Sequence, residues 1–217
     1  MSPVAISRVV KGDDGRSRCP WCVSSPEYLR YHDEEWGHPV AEDDRVYEKL
    51  CLEGFQSGLS WLTILRKREG FRAAFSSFDP VAVARYGDSD VERLVSDASI
   101  VRNRAKILAT IDNAKAVLAL REQGFSLAGL VWRYEPARKR ATRDGEGIPA
   151  STAESKALSS DLVKRGFRFV GPTTVYAAMQ SLGVVNDHLA RCDFRKICEE
   201  ERALFDPPSE AFNPPPG

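Results

Sequence analysis

Three groups of side chains in this sequence could do chemistry: a carboxylate in apolar company, a set of cysteines and histidines, and a basic turn punctuated by glycine. The carboxylate is Glu53, set among Leu50, Cys51, Leu52, Phe55, Leu59 and Trp61, and it reads as having no lysine or arginine nearby. Burying an ionised carboxylate is costly, so such a glutamate has a partner, a raised pKa or a ligand. Residues 31–61 also carry two of the three histidines and two of the four tryptophans. Large aromatics ordinarily end in the core. The company of Tyr31, Trp36, Trp61 and Trp21 with Glu53, Gln56 and Ser57 instead favours a ring-lined pocket. Glu53 would form its floor, and its guest would be small, flat and electron-poor.

Cys192 follows His188 by four residues, so on a helix both side chains would leave one face. That is half of a metal site, and Cys19 and His32 could complete it as tetrahedral two-cysteine, two-histidine zinc. A closed site of this kind ties the start of a domain to its end and contributes folding energy, with no position left for catalysis. The bland alternative is a chance neighbourhood of one histidine and one cysteine. Cys19-x-x-Cys22 is a rival as a knuckle or redox pair, but no second close pair and no βαβ pattern accompanies it. Cys51 reads as core and Cys198 as a bystander. Five cysteines, an odd number, point to a reducing compartment, and the cytoplasm is expected.

The third group lies between Gly166 and Gly171, where a turn joins two helical patterns. Backbone N–H groups near Gly171 could cradle a phosphate at the start of the following helix, with Lys164, Arg165 and Arg168 adding charge. On physics alone an ordinary αα-hairpin is favoured. Net charge is zero, 31 basic against 31 acidic residues, which argues against a generic nucleic-acid binder. The basic residues do cluster, at 66–68, 102–106, 138–143 and 164–168, which allows a basic face or simply solvated helices.

These groups must be positioned by helices, because alternating strand patterns are almost absent and the fold class reads as all-α. Residues 1–18 are expected to be a flexible leader, 19–198 the folded domain, and 199–217 a disordered proline-rich tail. Pro26 opens a helix to residue 36, and Asp43 or Asp44 caps the helix carrying Val46, Leu50 and Glu53. Gly54 and Gly58 mark either a close approach to the backbone or a break between helices. Ser60 caps a helix closed by Gly70, Asp79-Pro80 caps the next, and residues 101–123 form the longest. Ser151 and Glu154 make a capping box for the helix to Lys164, and a last helix should hold His188 and Cys192. No apolar run approaches the ~20 residues of a membrane span, and no secretory signal is read.

Five motifs together resemble a known family. They are Cys-Pro-Trp at 19–21, Tyr-His-Asp-Glu-Glu-Trp-Gly at 31–37 and Leu-Glu-Gly-Phe-Gln-Ser-Gly-Leu-Ser-Trp at 52–61, then Lys-Arg-Gly-Phe-Arg-Phe-Val-Gly at 164–171 and Val-Asn-Asp-His-x-x-x-Cys at 185–192. In this order they resemble the 3-methyladenine DNA glycosylase I family, from Cys19 to about Cys192. The resemblance implies an all-helical fold of the helix–hairpin–helix glycosylase superfamily, with that hairpin at about 152–183. It implies one structural Zn2+ per chain on Cys19, His32, His188 and Cys192, and a base pocket of Glu53, Tyr31, Trp61 and Trp36 with Trp21 close by. Where the wider superfamily often carries a catalytic aspartate, this chain has Asn186.

The implied activity is monofunctional excision of 3-methyladenine from alkylated double-stranded DNA by a monomer, releasing the free base and leaving an abasic site. The alkylated base is a cation and a good leaving group, so selection and placement matter more than strong acid–base chemistry. Flipping the nucleotide costs a few kcal/mol. Tyr31 and Trp61 would stack the cation, and Glu53 would accept a hydrogen bond from its exocyclic amine. Two other classes compete: a zinc-tied DNA-binding module that has lost excision, and a small-molecule binder for adenine-like ligands. Base release from methylated DNA separates the first, and indifference to DNA would mark the second.

Overall fold

The computed structural model describes residues 8–137 and 147–212. A first helix, α1 (Pro26–Glu34), has proline in its opening turn and Ser25 as its cap, accepting from the Tyr28 N–H. The second, α2 (Asp43–Gln56), is the centre of the molecule: every residue from Val46 to Phe55 is buried. It packs against α3 (Trp61–Ala74), α6 (Arg104–Glu122), α7 (Leu127–Trp132) and α9 (Pro172–Ser181). Short helices α4 (Pro80–Val83) and α5 (Asp88–Ser96) brace α6 from outside. The antiparallel-type pair α8 (Ala153–Lys164) and α9 is joined by a seven-residue turn, 165–171, and α10 (Asp193–Leu204) closes the order. Among the described residues the strand content is one hairpin, β1 (Val10–Lys11) with β2 (Ser17–Arg18), and an isolated bridge between Phe125 and Ala211. The protein is all-α, as its sequence pattern predicts. Among the described residues no helix is long and apolar enough to cross a membrane.

Local chemistry explains most element boundaries. The Ser60 hydroxyl accepts from Thr63 N–H, and Asp79 accepts from Val81 N–H ahead of Pro80. Gly54 lies inside α2 because Phe169 crosses there: a Cβ on Gly54 would stand 3.3 Å from the Phe169 Cβ. Several boundaries differ from expectation. Helix α3 runs through Gly70, whose missing side chain admits Ser99 rather than ending the helix. The capping box at α8 is Thr152 with Ser155, one residue later than read. Asp43 starts α2 without capping it; its carboxylate instead accepts from the Ser126 hydroxyl and the Ala128 N–H at the start of α7.

Larger corrections concern the ends. The leader's described part is held in place: the β hairpin buries Arg18, which donates to Asp33, and Ser17 N–H donates to Asp193. The tail expected to be disordered from 199 is helical to Leu204, and residues 205–212 then cross the bundle. Phe205 packs on Trp132, Glu210 accepts from the Ser126 N–H, and Phe212 N–H donates to Gly124. Backbone pairing with a distant turn holds this strap, so proline content alone misjudges it. Finally, His188 is not helical; α10 begins at Asp193, with Cys192 as the residue before it. The basic run 138–143 and Pro214–Pro216 lie outside the described residues.

Candidate active site and metal centre

Helix α1 presents consecutive residues to two different places. His32 turns toward the segment 184–192, while Tyr31 turns toward α2 and α3. Segment 184–192 is a loop because Gly183, at φ +71°, turns the chain out of α9 against the His38–Pro39 backbone. Asn186 then accepts from the His188 N–H, and Arg195 donates to the carbonyls of Asn186 and His188. Asn186 is thus a strut of the loop.

This loop and α1 bring Cys19, His32, His188 and Cys192 together, all four buried, with their ligand atoms within 4.8 Å of one another. Cys192 Sγ lies 3.5 Å from His32 Nε2 and 3.4 Å from His188 Nδ1, and Cys19 Sγ lies 3.8 Å from His188 Nδ1. The outer ring nitrogens fix the tautomers. His188 Nε2 meets the Trp36 carbonyl at 2.8 Å, and His32 Nδ1 meets Asp33 at 2.8 Å, with Asp33 gripped by Arg18. Carbonyl and carboxylate only accept, so both protons sit on the outer nitrogens. The inner lone pairs of the two imidazoles therefore face each other at 3.1 Å, an arrangement that a cation between them would satisfy. The donor set fits a metal ion. Cys22, the rival partner, points its Sγ to the Cys19 carbonyl instead.

On the Tyr31 side lies a cavity of about 360 Å³ walled by Trp21, Tyr28, Tyr31, Trp36 and Trp61, with Glu53, Gln56, Ile148, Ala177 and Gln180 completing it. The rings brace one another: Trp21 stands edge to face at 5.1 Å from Trp36 and 5.6 Å from Tyr28, and Tyr31 lies tilted 5.4 Å from Trp61. The Tyr28 hydroxyl accepts from the Leu62 N–H at 3.0 Å, which anchors the first turn of α3 and with it Trp61. Glu53 is only 5% exposed and makes no hydrogen bond or ion pair among the described residues. Burial pushes its carboxyl up to about 8, while Lys49 pulls the other way. The Trp61 indole N–H is likewise buried without an acceptor. Two unpaired polar groups in a ring-lined hollow are what a flat, hydrogen-bonding guest would complete.

Residues 21–196 match the family described as methyladenine glycosylase. The chain is 49% identical over 178 residues to DNA-3-methyladenine glycosylase 1 of Escherichia coli K12, an alignment covering 81% of this chain and 95% of that protein. A crystal structure of 3-methyladenine DNA glycosylase I superposes with a TM-score of 0.78 at 46% identity, covering 81% of this chain and 98% of the other. A Staphylococcus aureus structure, described for its basis of 3-methyladenine recognition, gives 0.78 at 32% identity, covering 82% and 96%. The chain belongs to the methyladenine glycosylase family. Nearly all of the relatives' length is present, and the C-terminal strap lies beyond the family match.

In this methyladenine glycosylase the structure brings together the residues singled out in the sequence, with some neighbours the sequence reading did not anticipate. Glu53, Tyr31, Trp36, Trp61 and Trp21 all line one cavity, and the four cysteine and histidine donors meet. The His188–Cys192 helix behind the metal reading is wrong, although the pair converges. Glu53 is also less isolated than read. Lys49 lies one helical turn before it, is buried, and donates to Glu35 at 3.1 Å with its ammonium 5.0 Å above the Tyr31 ring. The i, i+4 spacing on α2 was the available signal. Tyr28, Gln180 and the Asp33–Arg18 pair were also missed. A carboxylate directly after a ligating histidine was the clue for Asp33. Asp187 does not line the cavity; it accepts from Tyr176 and from the Gln180 amide.

The four residues read as DNA contacts share the α8–α9 turn. Lys164 is exposed, Arg165 donates to Asp161, and half-exposed Arg168 donates to Asp112 at 2.6 Å. Gly171 opens α9, and a Cβ there would meet nothing within 4 Å, so packing does not demand glycine. The turn is fixed to α6 by Asn113, which donates to the Arg168 carbonyl and accepts from the Arg168 N–H. Phe169, at φ +55° and 39% exposed, crosses Gly54 next to Glu53, so turn and cavity share one helix end.

Proposed function

We propose that this protein is a monofunctional DNA glycosylase that excises 3-methyladenine from alkylated double-stranded DNA by hydrolysis, leaving an abasic site. The observation that carries the reading is Glu53, unpaired and buried at the floor of an aromatic cavity. Alkylation at N3 makes the adenine a cation whose bond to deoxyribose is already weakened. Flipped from the duplex, the base would enter the hollow walled by the Tyr31 and Trp61 rings, whose quadrupoles favour a cation by ~1–2 kcal/mol. Burial, then Glu53 and Glu35, raise the Tyr31 pKa, so its hydroxyl stays protonated as a donor. Glu53 accepts from the exocyclic amine, and the arriving positive charge favours its ionised form, so binding and ionisation reinforce each other. Water then attacks the anomeric carbon, and the departing electron pair neutralises the base.

Strand cleavage is not expected, because a lyase needs a free amine near the sugar, and the cavity's nearest lysine, Lys49, is held by Glu35 behind the Tyr31 ring. The α8–α9 turn would act as the helix–hairpin–helix grip on the backbone, with Lys164, Arg165, Arg168 and the N–H groups after Gly171 facing phosphates. The metal would be zinc, whose role when bound is structural: four protein donors fill a tetrahedral shell. Five free, buried cysteines support a reducing, cytoplasmic setting, and we read the working unit as a monomer.

Release of free base from alkylated duplex DNA tests the reading directly. The wild type should release 3-methyladenine, and Glu53→Gln should lose at least a hundredfold in single-turnover rate while keeping its fold. Unchanged release by that variant removes Glu53 from the chemistry. DNA binding with no release by the wild type would leave only a binding module.

A further inference from the structure

The floor of the cavity has a second layer. Beneath Tyr31, the Lys49 ammonium is buried between the ring face and Glu35, and Glu35 also accepts from Arg68 at 2.7 and 2.8 Å. Lys49 is 4% exposed, and its acid partner Glu35 is only partly exposed. A buried ammonium in an apolar region is costly unless its charge is used or paired. Half of its pairing is spent, because Glu35 is shared with Arg68. The four charges together, Lys49 and Arg68 against Glu35 and Glu53, balance only if Glu53 is counted.

We propose that Lys49 is the positioning residue for Glu53: its ammonium, one helical turn away and clamped by Glu35, supplies the positive charge that lets the carboxylate ionise inside an aromatic cavity. This inference rests on the assignment of Glu53 as the group that meets the base. The other charged or titratable groups around Glu53 do not replace it. Tyr31, from α1, stays a neutral phenol, Glu35, just past α1, is itself an acid, and Arg68, from α3, is spent on Glu35. Asp187 lies behind Gln180 after α9, and Lys106, from α6, donates to the carbonyls of Phe55 and Ser57 at the far side of the helix end. Burial drives the Glu53 pKa up and Lys49 is what restrains it. Burial also lowers the Lys49 pKa, and Glu35 raises it back, which is the reason for the clamp.

The test is the pH profile of single-turnover 3-methyladenine release by wild type, Lys49→Gln, Lys49→Arg and Glu53→Gln. The wild type should show a rising limb governed by Glu53. Lys49→Gln should move that limb to higher pH by at least one unit, a loss of about tenfold at neutral pH that narrows as pH rises. Lys49→Arg should keep the wild-type limb. A Lys49→Gln variant that loses the same factor at every pH, with its limb unmoved, overturns the proposal. If Lys49→Gln does not fold, the carbon-13 signals of Lys49 and Glu53 in the intact wild type decide. Lys49 must still be protonated at the pH where Glu53 ionises, and a Lys49 that loses its proton first refutes it. Full activity in Glu53→Gln would instead sink the underlying assignment, so the two failures are distinguishable.

Discussion

Tyr31 and His32 are consecutive residues of one helix, and they open onto two polar regions built on opposite terms. Around His32 almost every group is answered: each imidazole has an acceptor outside, Asp33 has Arg18, and the Leu189 N–H donates to Cys19 Sγ. Around Tyr31 the groups that matter are left open, with Glu53 and the Trp61 N–H lacking partners. Both regions are buried, so burial does not distinguish them. What separates a structural polar cluster from a binding site is whether the protein itself completes the hydrogen bonds. The closed cluster stabilises the fold, and the open one keeps a cost in the fold that a guest can repay.

Breaking the closed side should have the largest effect. Cys192→Ala removes one of four donors, and we expect no bound metal and a melting temperature lower by more than about 10 °C, or failure to fold. Elemental analysis with calorimetry measures both. A variant that melts with the wild type would erase the contrast.

Opening the other side should do the reverse, by a smaller amount. The Glu53 carboxyl sits near 8 in the fold, raised from 4.5 by burial. An acid raised on folding favours the native state only while protonated, and that contribution is lost as pH rises from about 4.5 through about 8. Glu53→Gln, which cannot ionise, should therefore gain on the wild type across this window. The melting-temperature gap should widen by up to about 10 °C between about pH 5 and about pH 8.5. A constant gap would mean that Glu53 ionises as freely in the fold as out of it.

The smallest effect is expected at the α8–α9 turn. Arg168 is half exposed and pairs with Asp112, and such pairs contribute under about 1 kcal/mol. Arg168→Ala should melt within about 2 °C of the wild type. If the turn grips phosphate, the slope of log affinity for duplex DNA against log salt should fall by about one. An unchanged slope takes Arg168 out of the interface.

How far the sequence alone reached depended on the range of the interactions involved. Caps such as Ser60 and Asp79 are local chemistry and were readable, as was Gly54 as a point of close approach. The loop carrying His188 was not, because Gly183, Asn186 and Arg195 set it through contacts with no periodic signature. The strap over Gly124 and Ser126 was missed for a related reason: backbone pairing leaves no trace in composition. Glu53 stood out as a carboxylate in apolar company, but its dependence on Lys49 needed the α2 register to be followed one more turn. His188 and Cys192 were paired through a helix that is not there, and they still converge with Cys19 and His32, since four residues also span a tight loop.

One consequence of the four-donor cluster is topological. Cys19 and Cys192, near the two ends of the family match, meet within 4.8 Å, so the chain between them is a ring fastened at a single knot. Once that knot is tied, the position of the break in the ring matters little. A rearranged gene that keeps every element, joins the original C-terminus to the original N-terminus through a flexible spacer and begins elsewhere, at an exposed connection such as 98–99, should yield the same bundle.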